Sequence, residues 1–436
     1  MHETAPLTSA GKQHLLRALI AVGVLFPVFF HLSGGIYRSP DTILYDSGGS
    51  VMDVPLPVAL VVVFLGGVLL SGRYRDAAPA LGLDLVMLAG MALTTTVTAA
   101  DSGLETRKLV LLIQFLIPTA ALVVGQLYGA RDNALQLCAK AFLGVITAIV
   151  PVQMGVSLYR EYIWHHLWLF TIYQHQQFVP VVFVGAYLFA AFVLFENRRF
   201  RPWVLMLAPI MGAYAAATYA VLALAFLVGG LAVLVFARSR TAAVSLCMIL
   251  AVGCAAAFLH YDRGSTSFQA KYGTFLSTVP KAAADPGRDA VAPTESTGLA
   301  ESRIPLNVRP RLADWALYTR GIAESPWTAL FGHAKPFDRA ISTSAHNYYL
   351  DLVYNFGLAA LLPLLWLIAY TAALLWRARS TLVRDLPLLG LAVVVGFLVL
   401  VDNNFKVTFR QPYPGLFGFF LWGLLVSRLC ASPRTG

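Results

Sequence analysis

Apolar runs follow one another along most of this chain, separated by short polar connections. A helix needs roughly 17–25 mainly apolar residues to cross the hydrocarbon core of a bilayer. Twelve stretches meet that requirement: 15–33, 55–71, 80–98, 107–128, 141–158, 177–195, 203–219, 220–237, 242–259, 348–376, 385–401 and 414–430. The close pair over 203–237 reads as two spans because its combined length exceeds one crossing. The rhythm breaks once, over a long polar, proline-punctuated segment. The chain therefore divides into nine spans within 1–259, one large loop over 260–347, and three spans within 348–436.

Inside the loop the pattern changes twice. Residues 280–303 are rich in Ala, Pro, Asp, Thr and Ser, the composition of a mobile stretch. Residues 308–324 regain helical periodicity, with Asn307 placed to cap, Pro310 in the first turn, and Leu312, Trp315, Ala316, Leu317 and Ile322 on an imperfect apolar side. Ser325 to Gly332 then forms a turn with apolar anchors. Ser342, Thr343 and Ser344 are good caps for the tenth span, which puts His346 in its first turn at the water–membrane boundary.

Composition agrees with this reading. Hydrophobic residues make up 58% and charged residues 12%, against about 25% charged in a soluble domain. The fold class is an all-α polytopic membrane protein. With both ends inside, the cytoplasmic loops and tails carry 16 Lys and Arg, whereas the short outer loops carry 6, namely Arg38, Arg107, Lys108, Arg160, Lys406 and Arg410. That asymmetry follows the positive-inside pattern and puts the long loop on the outer, periplasmic face. Most of the net charge of +10 thus serves topology and contacts with anionic membrane lipids. No basic tail or aromatic-interleaved basic strand points to nucleic acid. The four cysteines, Cys138, Cys247, Cys254 and Cys430, avoid the outer loop, so it contains no disulfide. The first apolar run lacks a small-residue cleavage site and reads as a retained span.

Candidate chemistry collects where the loop returns to the membrane. Arg311 and Trp315 are one helical turn apart and share a face. A guanidinium stacked on an indole stays charged and matches phosphate oxygens with its fork; an interfacial anchor in lipid headgroups is the competing reading. His346, at the positive end of a helix, is held neutral and competent as a general base, or else simply bonds loop backbone. Asp314, Asp351 and Asp402 are the nearby acids, with Asp351 placed either to orient His346 or to pair with Arg410. His165 and His166 diverge on a helix and His175 is flanked by glutamines, so no metal site is expected. The region of these histidines reads as an aromatic interfacial belt, although Arg160, Gln174 and His175 lie on the right face to line a cleft for sugar or phosphate.

Taken in order, Arg311 with Trp315, Pro326 with Leu330-Phe331-Gly332, and His346-Asn347 with Leu350 and Gly357 resemble the O-antigen ligase and polymerase superfamily of bacterial envelope glycosyltransferases. The likeness extends to the whole layout of about a dozen spans with one large late periplasmic loop. It implies a type C glycosyltransferase-like fold in the bacterial inner membrane. The implied donor is a glycan on undecaprenyl pyrophosphate, and the implied acceptor in O-antigen ligases is lipid A-core oligosaccharide. Neither nucleotide sugar, metal nor other cofactor is implied. The family's histidine maps onto His346 and its loop arginine onto Arg311, with Arg309 and Arg303 as close competitors. Two departures stand out. Relatives carry a Ser-Arg pair at an outer tip where this chain reads Ala215-Ala216-Ala217-Thr218-Tyr219-Ala220, and a carboxylate where it has Asn355. Arg160 is the first candidate to replace the missing cation, followed by Lys108 and Arg410.

The reaction so implied is a direct, inverting displacement in which arginines stabilise the pyrophosphate leaving group and His346 takes the acceptor proton. Competing readings are a polymerase of O-antigen or capsule, a protein O-oligosaccharyltransferase, and a lipid flippase or transporter. The last predicts ionisable residues deep in spans and paired broken helices.

Overall fold

The computed structural model describes residues 9–25, 78–103, 105–131, 133–159, 178–217, 220–238, 309–337 and 344–431, and every described element is helical. We number them α1 (Ser9–Leu25), α2 (Ala78–Ser102), α3 (Thr106–Gly129), α4 (Ala134–Tyr159), α5 (Val179–Leu194), α6 (Arg201–Ala217), α7 (Val221–Arg238), α8 (Arg309–Ile322), α9 (Pro326–Phe331), α10 (Tyr348–Arg377), α11 (Arg379–Arg384), α12 (Leu386–Phe397) and α13 (Pro412–Ala431). One compact unit comprises Met1–Leu234 with Arg311–Gly436. The other, Val235–Pro310, falls mostly outside the described residues.

Among the described residues, seven helical segments are long and apolar enough to cross a membrane: Ala80–Ala100, Lys108–Gly129, Ala134–Val152, Val221–Arg238, Tyr348–Arg377, Leu386–Phe405 and Tyr413–Ala431. Val179–Leu194 is a shorter apolar helix. The stretch over 203–237 forms two helices, α6 and α7, separated near Ala220. The spans expected at 55–71 and 242–259, and the stretch 280–303, lie outside the described residues. Large apolar side chains face outward on several helices, including Leu85 and Val86 on α2, Leu205 and Met206 on α6, and Leu362 and Trp366 on α10. Such surfaces suit lipid rather than water.

Two kinds of packing build the interior. Every residue of α5 is buried, as expected for a helix apolar on all sides; it is flanked by α4, α6 and α12, with Phe142 against Phe189 and Gly390 against Phe192. By contrast, α3 and α13 approach backbone to backbone. A Cβ on Gly125 would stand 2.1 Å from the Phe420 carbonyl oxygen, and one on Gly423 would stand 2.1 Å from that of Leu122. Small residues at such crossings replace the hydrophobic drive that lipid removes.

The feature that seats the α8–α9 segment is a break in α10. Gly357 has φ 72° and ψ 177°, so the helix is interrupted there. The C-terminal end of α9 fills the break: a Cβ on Gly357 would lie 2.1 Å from the Leu330 carbonyl oxygen, and one on Gly332 would lie 2.6 Å from the backbone of Asn355 and Phe356. His333 N–H then donates to the Tyr354 carbonyl at 2.8 Å. Each glycine thus faces the backbone just before the other, Gly357 against Leu330 and Phe331 and Gly332 against Asn355 and Phe356, with no room for a side chain. Lys108 fastens the seat from α3. Its buried ammonium donates to Thr98 Oγ1 at 2.6 Å and to the His333 carbonyl at 2.7 Å. The Tyr354 ring is stacked between His333 and Phe337, with centroids 4.2 Å away on each side.

Because Gly357 combines positive φ with a backbone clash, Gly357→Ala is expected to destabilise by at least about 2 kcal/mol. A lowered thermal midpoint of the purified protein in detergent, compared with Gly396→Ala at a position where a Cβ meets nothing, checks this.

Candidate functional site

At its N-terminal end α10 begins with an asparagine cap. Asn347 Oδ1 accepts from the N–H groups of Tyr349 and Leu350 at 3.0 and 3.1 Å, satisfying two donors that a helix start leaves open. Its Nδ2 donates to the Asn404 carbonyl at 3.2 Å, tying the start of α10 to the end of the segment that continues α12. This corrects the expectation of Ser/Thr capping with His346 in the first turn. His346 precedes the cap, with φ 48° and its N–H donating to Ser344 Oγ at 3.3 Å. The residue therefore stands ahead of the helix with a positive φ, a conformation that only a few per cent of non-glycine residues adopt, histidine among the more frequent.

Across from it runs α8, the helix expected over 308–324, with Pro310 in its first turn. Asp314 Oδ2 lies 4.0 Å from His346 Nε2. The Trp315 indole meets the Phe405 ring, with centroids 5.9 Å apart. Tyr318 packs on Tyr354 and Phe337, and Gly321 fits directly against the Tyr354 ring. These aromatic contacts hold α8 beside the head of α10. Arg311, one turn before Asp314, is partly buried; desolvation lowers its proton affinity, and the charge of Asp402 opposes that loss.

Asp402 sits in a π-helical turn, Leu398–Asp402, that ends the α12 span. Turns of this kind recur at functional sites. Asn403 braces it, donating to the Leu398 carbonyl at 2.7 Å and accepting from Phe409 N–H at 3.0 Å. Thr408 Oγ1 donates to Asp402 Oδ2. Lys406 Nζ stands 3.3 Å from Asp402 Oδ1, with both side chains buried, in an ionic contact that falls outside hydrogen-bond geometry. Burial lowers the proton affinity of Lys406, Asp402 restores part of it, and Arg311 lowers it further. Arg311, Asp402 and Lys406 thus form one electrostatic group.

Asp351, in the first turn of α10, is buried and bridged by Arg410 Nη1. Of its two expected roles, the structure gives it the pairing with Arg410. Asn355 donates to the Asp351 carbonyl at 2.7 Å and to its carboxylate at 3.4 Å. The amide at this position thus serves as a donor, where a second carboxylate would be repelled.

The structure brings His346, Asn347, Arg311, Trp315 and Arg410 to one end of the bundle, around the heads of α8 and α10 and the 402–410 turn. It keeps Lys108 apart, with the ammonium enclosed beneath α9. Arg160, Arg303, Gln174 and His175 lie outside the described residues, and Arg309 is described only as the backbone that opens α8. Sequence reasoning named Asp402 and Asp314 only among the acidic candidates for a base, and did not select Lys406 or Thr408 as site residues, nor Asp314 as the partner of His346. The Asp-x3-Lys spacing at the end of an apolar run was the available signal for the buried pair. No protein-family model matches the chain, and no curated protein matches it.

Chemically, the arrangement provides an imidazole beside a carboxylate, with cationic side chains held nearby on buried supports. It suits proton transfer next to an anionic ligand. Breaking the Asp402–Lys406 pair by Lys406→Met leaves a buried carboxylate and is expected to cost about 3–5 kcal/mol. The double variant Lys406→Met with Asp402→Asn is expected to recover most of that stability. Thermal midpoints of the two variants in detergent check the difference.

Proposed function

We propose that this protein is a glycosyltransferase of the bacterial inner membrane that moves a glycan from undecaprenyl pyrophosphate to lipid A-core oligosaccharide, the reaction of an O-antigen ligase. In this reading the chain crosses the membrane twelve times in a type C glycosyltransferase-like fold, with 260–347 and the active site on the periplasmic face. One observation carries it: the elements on which the family resemblance rests, distant in sequence, converge. Gly332 seats in the break at Gly357, and the turn of α8 that carries Arg311 and Asp314 stands against His346.

In mechanism, charge grows on the pyrophosphate oxygen as the anomeric C–O bond breaks, and guanidinium groups bind such oxygens in pairs without losing their own proton. Arg311 is assigned that role, and Arg410, anchored by Asp351, adds positive potential. The acceptor hydroxyl attacks the anomeric carbon from the opposite side while His346 takes its proton. One displacement inverts the anomeric configuration. The charge that a divalent ion would otherwise contribute is assigned to these side chains.

A polymerase or protein O-oligosaccharyltransferase shares the donor chemistry and differs in acceptor. The transporter reading draws on the broken helix, since such breaks line substrate cavities in transporters. Here the break at Gly357 is filled by the backbone of Leu330 to Gly332 instead.

The test replaces His346 and Arg311 separately with alanine in a strain lacking the native gene and resolves its lipopolysaccharide on a gel. Both variants, at normal protein level, are expected to abolish the ladder while lipid-linked polymer and free lipid A-core accumulate. Normal ladders from both would refute the reading, and short ladders without accumulated polymer would favour a polymerase.

A further inference from the structure

We infer that Asp314 is the positioning residue for His346, fixing the imidazole so that Nε2–H points at its carboxylate and Nδ1 is turned toward the acceptor hydroxyl. The inference rests on the function proposed above and specifies how its base is held.

Two independent supports fix the two ends of this contact. Asp314 belongs to the stretch of α8 pinned by Trp315 on Phe405 and Tyr318 on Tyr354. His346 is fixed by the Ser344 hydroxyl behind it and the Asn347 cap in front. The carboxylate and ring meet at 4.0 Å, with side chains 22% and 36% exposed. A pair this open contributes little to folding, because water screens it. It also leaves the positive φ of His346 in place. The spacing is about 1 Å longer than a hydrogen bond, the looseness common in catalytic pairs before substrate tightens them.

The assignment fixes the proton path. As the acceptor oxygen bonds to the anomeric carbon, its proton passes to Nδ1, and the electron pair of the breaking anomeric C–O bond leaves with the pyrophosphate. The imidazolium then donates from Nε2 to Asp314, which stabilises the new charge without taking the proton. Asp314 touches neither donor nor acceptor.

The test uses the full-length protein in proteoliposomes with undecaprenyl-pyrophosphate-linked glycan and lipid A-core, and compares Asp314→Asn, Asp314→Glu, His346→Ala, and Asp314→Asn combined with His346→Ala. Asp314→Asn is expected to lower kcat on the order of ten- to a hundredfold with KM for the donor unchanged. Asp314→Glu should recover to within a few fold, and Asp314→Asn should add less than about a twofold loss in the His346→Ala background. Full activity of Asp314→Asn, or an equal fold-loss with and without His346, overturns the inference and leaves the proposed function standing. Full activity of His346→Ala overturns both. Thermal midpoints are read in parallel, and if Asp314→Asn unfolds, Asp314→Ser carries the same comparison.

Discussion

The architecture of this end of the molecule depends on one close approach, that of the Leu330–Gly332 backbone to the Asn355–Gly357 backbone, which a side chain at either glycine would block. A membrane helix broken at Gly357 leaves backbone groups that the low-dielectric interior cannot leave unpaired. The end of α9 enters the gap, His333 N–H pairs with the Tyr354 carbonyl, and Lys108 closes over the His333 carbonyl. The contact fixes more than α9, because α8 leads into it and the start of α10 leads out of it. With both termini of the turn anchored, Asp314 and His346 are held across a short gap rather than on free loops.

Charge is organised on the same principle. Asp351 is matched with Arg410, and Asp402 with Lys406 and the nearby Arg311. Buried pairs of this type seldom add stability over an apolar core, and they are costly to break. Their effect here is to hold Lys406, Arg410 and their carboxylate partners in fixed positions. The π-helical turn at Leu398–Asp402 is part of this design, since Asn403 and Thr408 bond back to it and hold Asp402 between Lys406 and the 408–410 turn.

Much of this was legible from residue pattern. Long apolar runs gave the helices, Pro310 marked the first turn of α8, and the combined length of 203–237 separated α6 from α7. The ordered set from Arg311 to Gly357 named stretches of chain that the structure packs against one another. What pattern could not show was pairing across space. Asn347 displaced the serines as cap because its carboxamide bonds forward to two N–H groups and its NH2 reaches Asn404, a tertiary bond invisible to local reading. That shift moved His346 out of the helix and into a positive-φ position. Lys108 looked like a surface cation beside other outer-face charges, yet its partner is a carbonyl contributed by His333, far along the chain. The partnership of Arg311 with Asp402 was hidden for the same reason.

The central claim is that His346 deprotonates an acceptor hydroxyl for direct displacement at a prenyl-linked sugar. The most direct measurement is product stereochemistry from the purified protein in liposomes, using a donor of known anomeric configuration and no nucleotide sugar, with NMR of the new linkage. Inversion, with one undecaprenyl pyrophosphate released per bond formed and a residual rate about a hundredfold or more lower from His346→Ala, is the expected result. Retention of configuration, or unaltered transfer by His346→Ala, would contradict it.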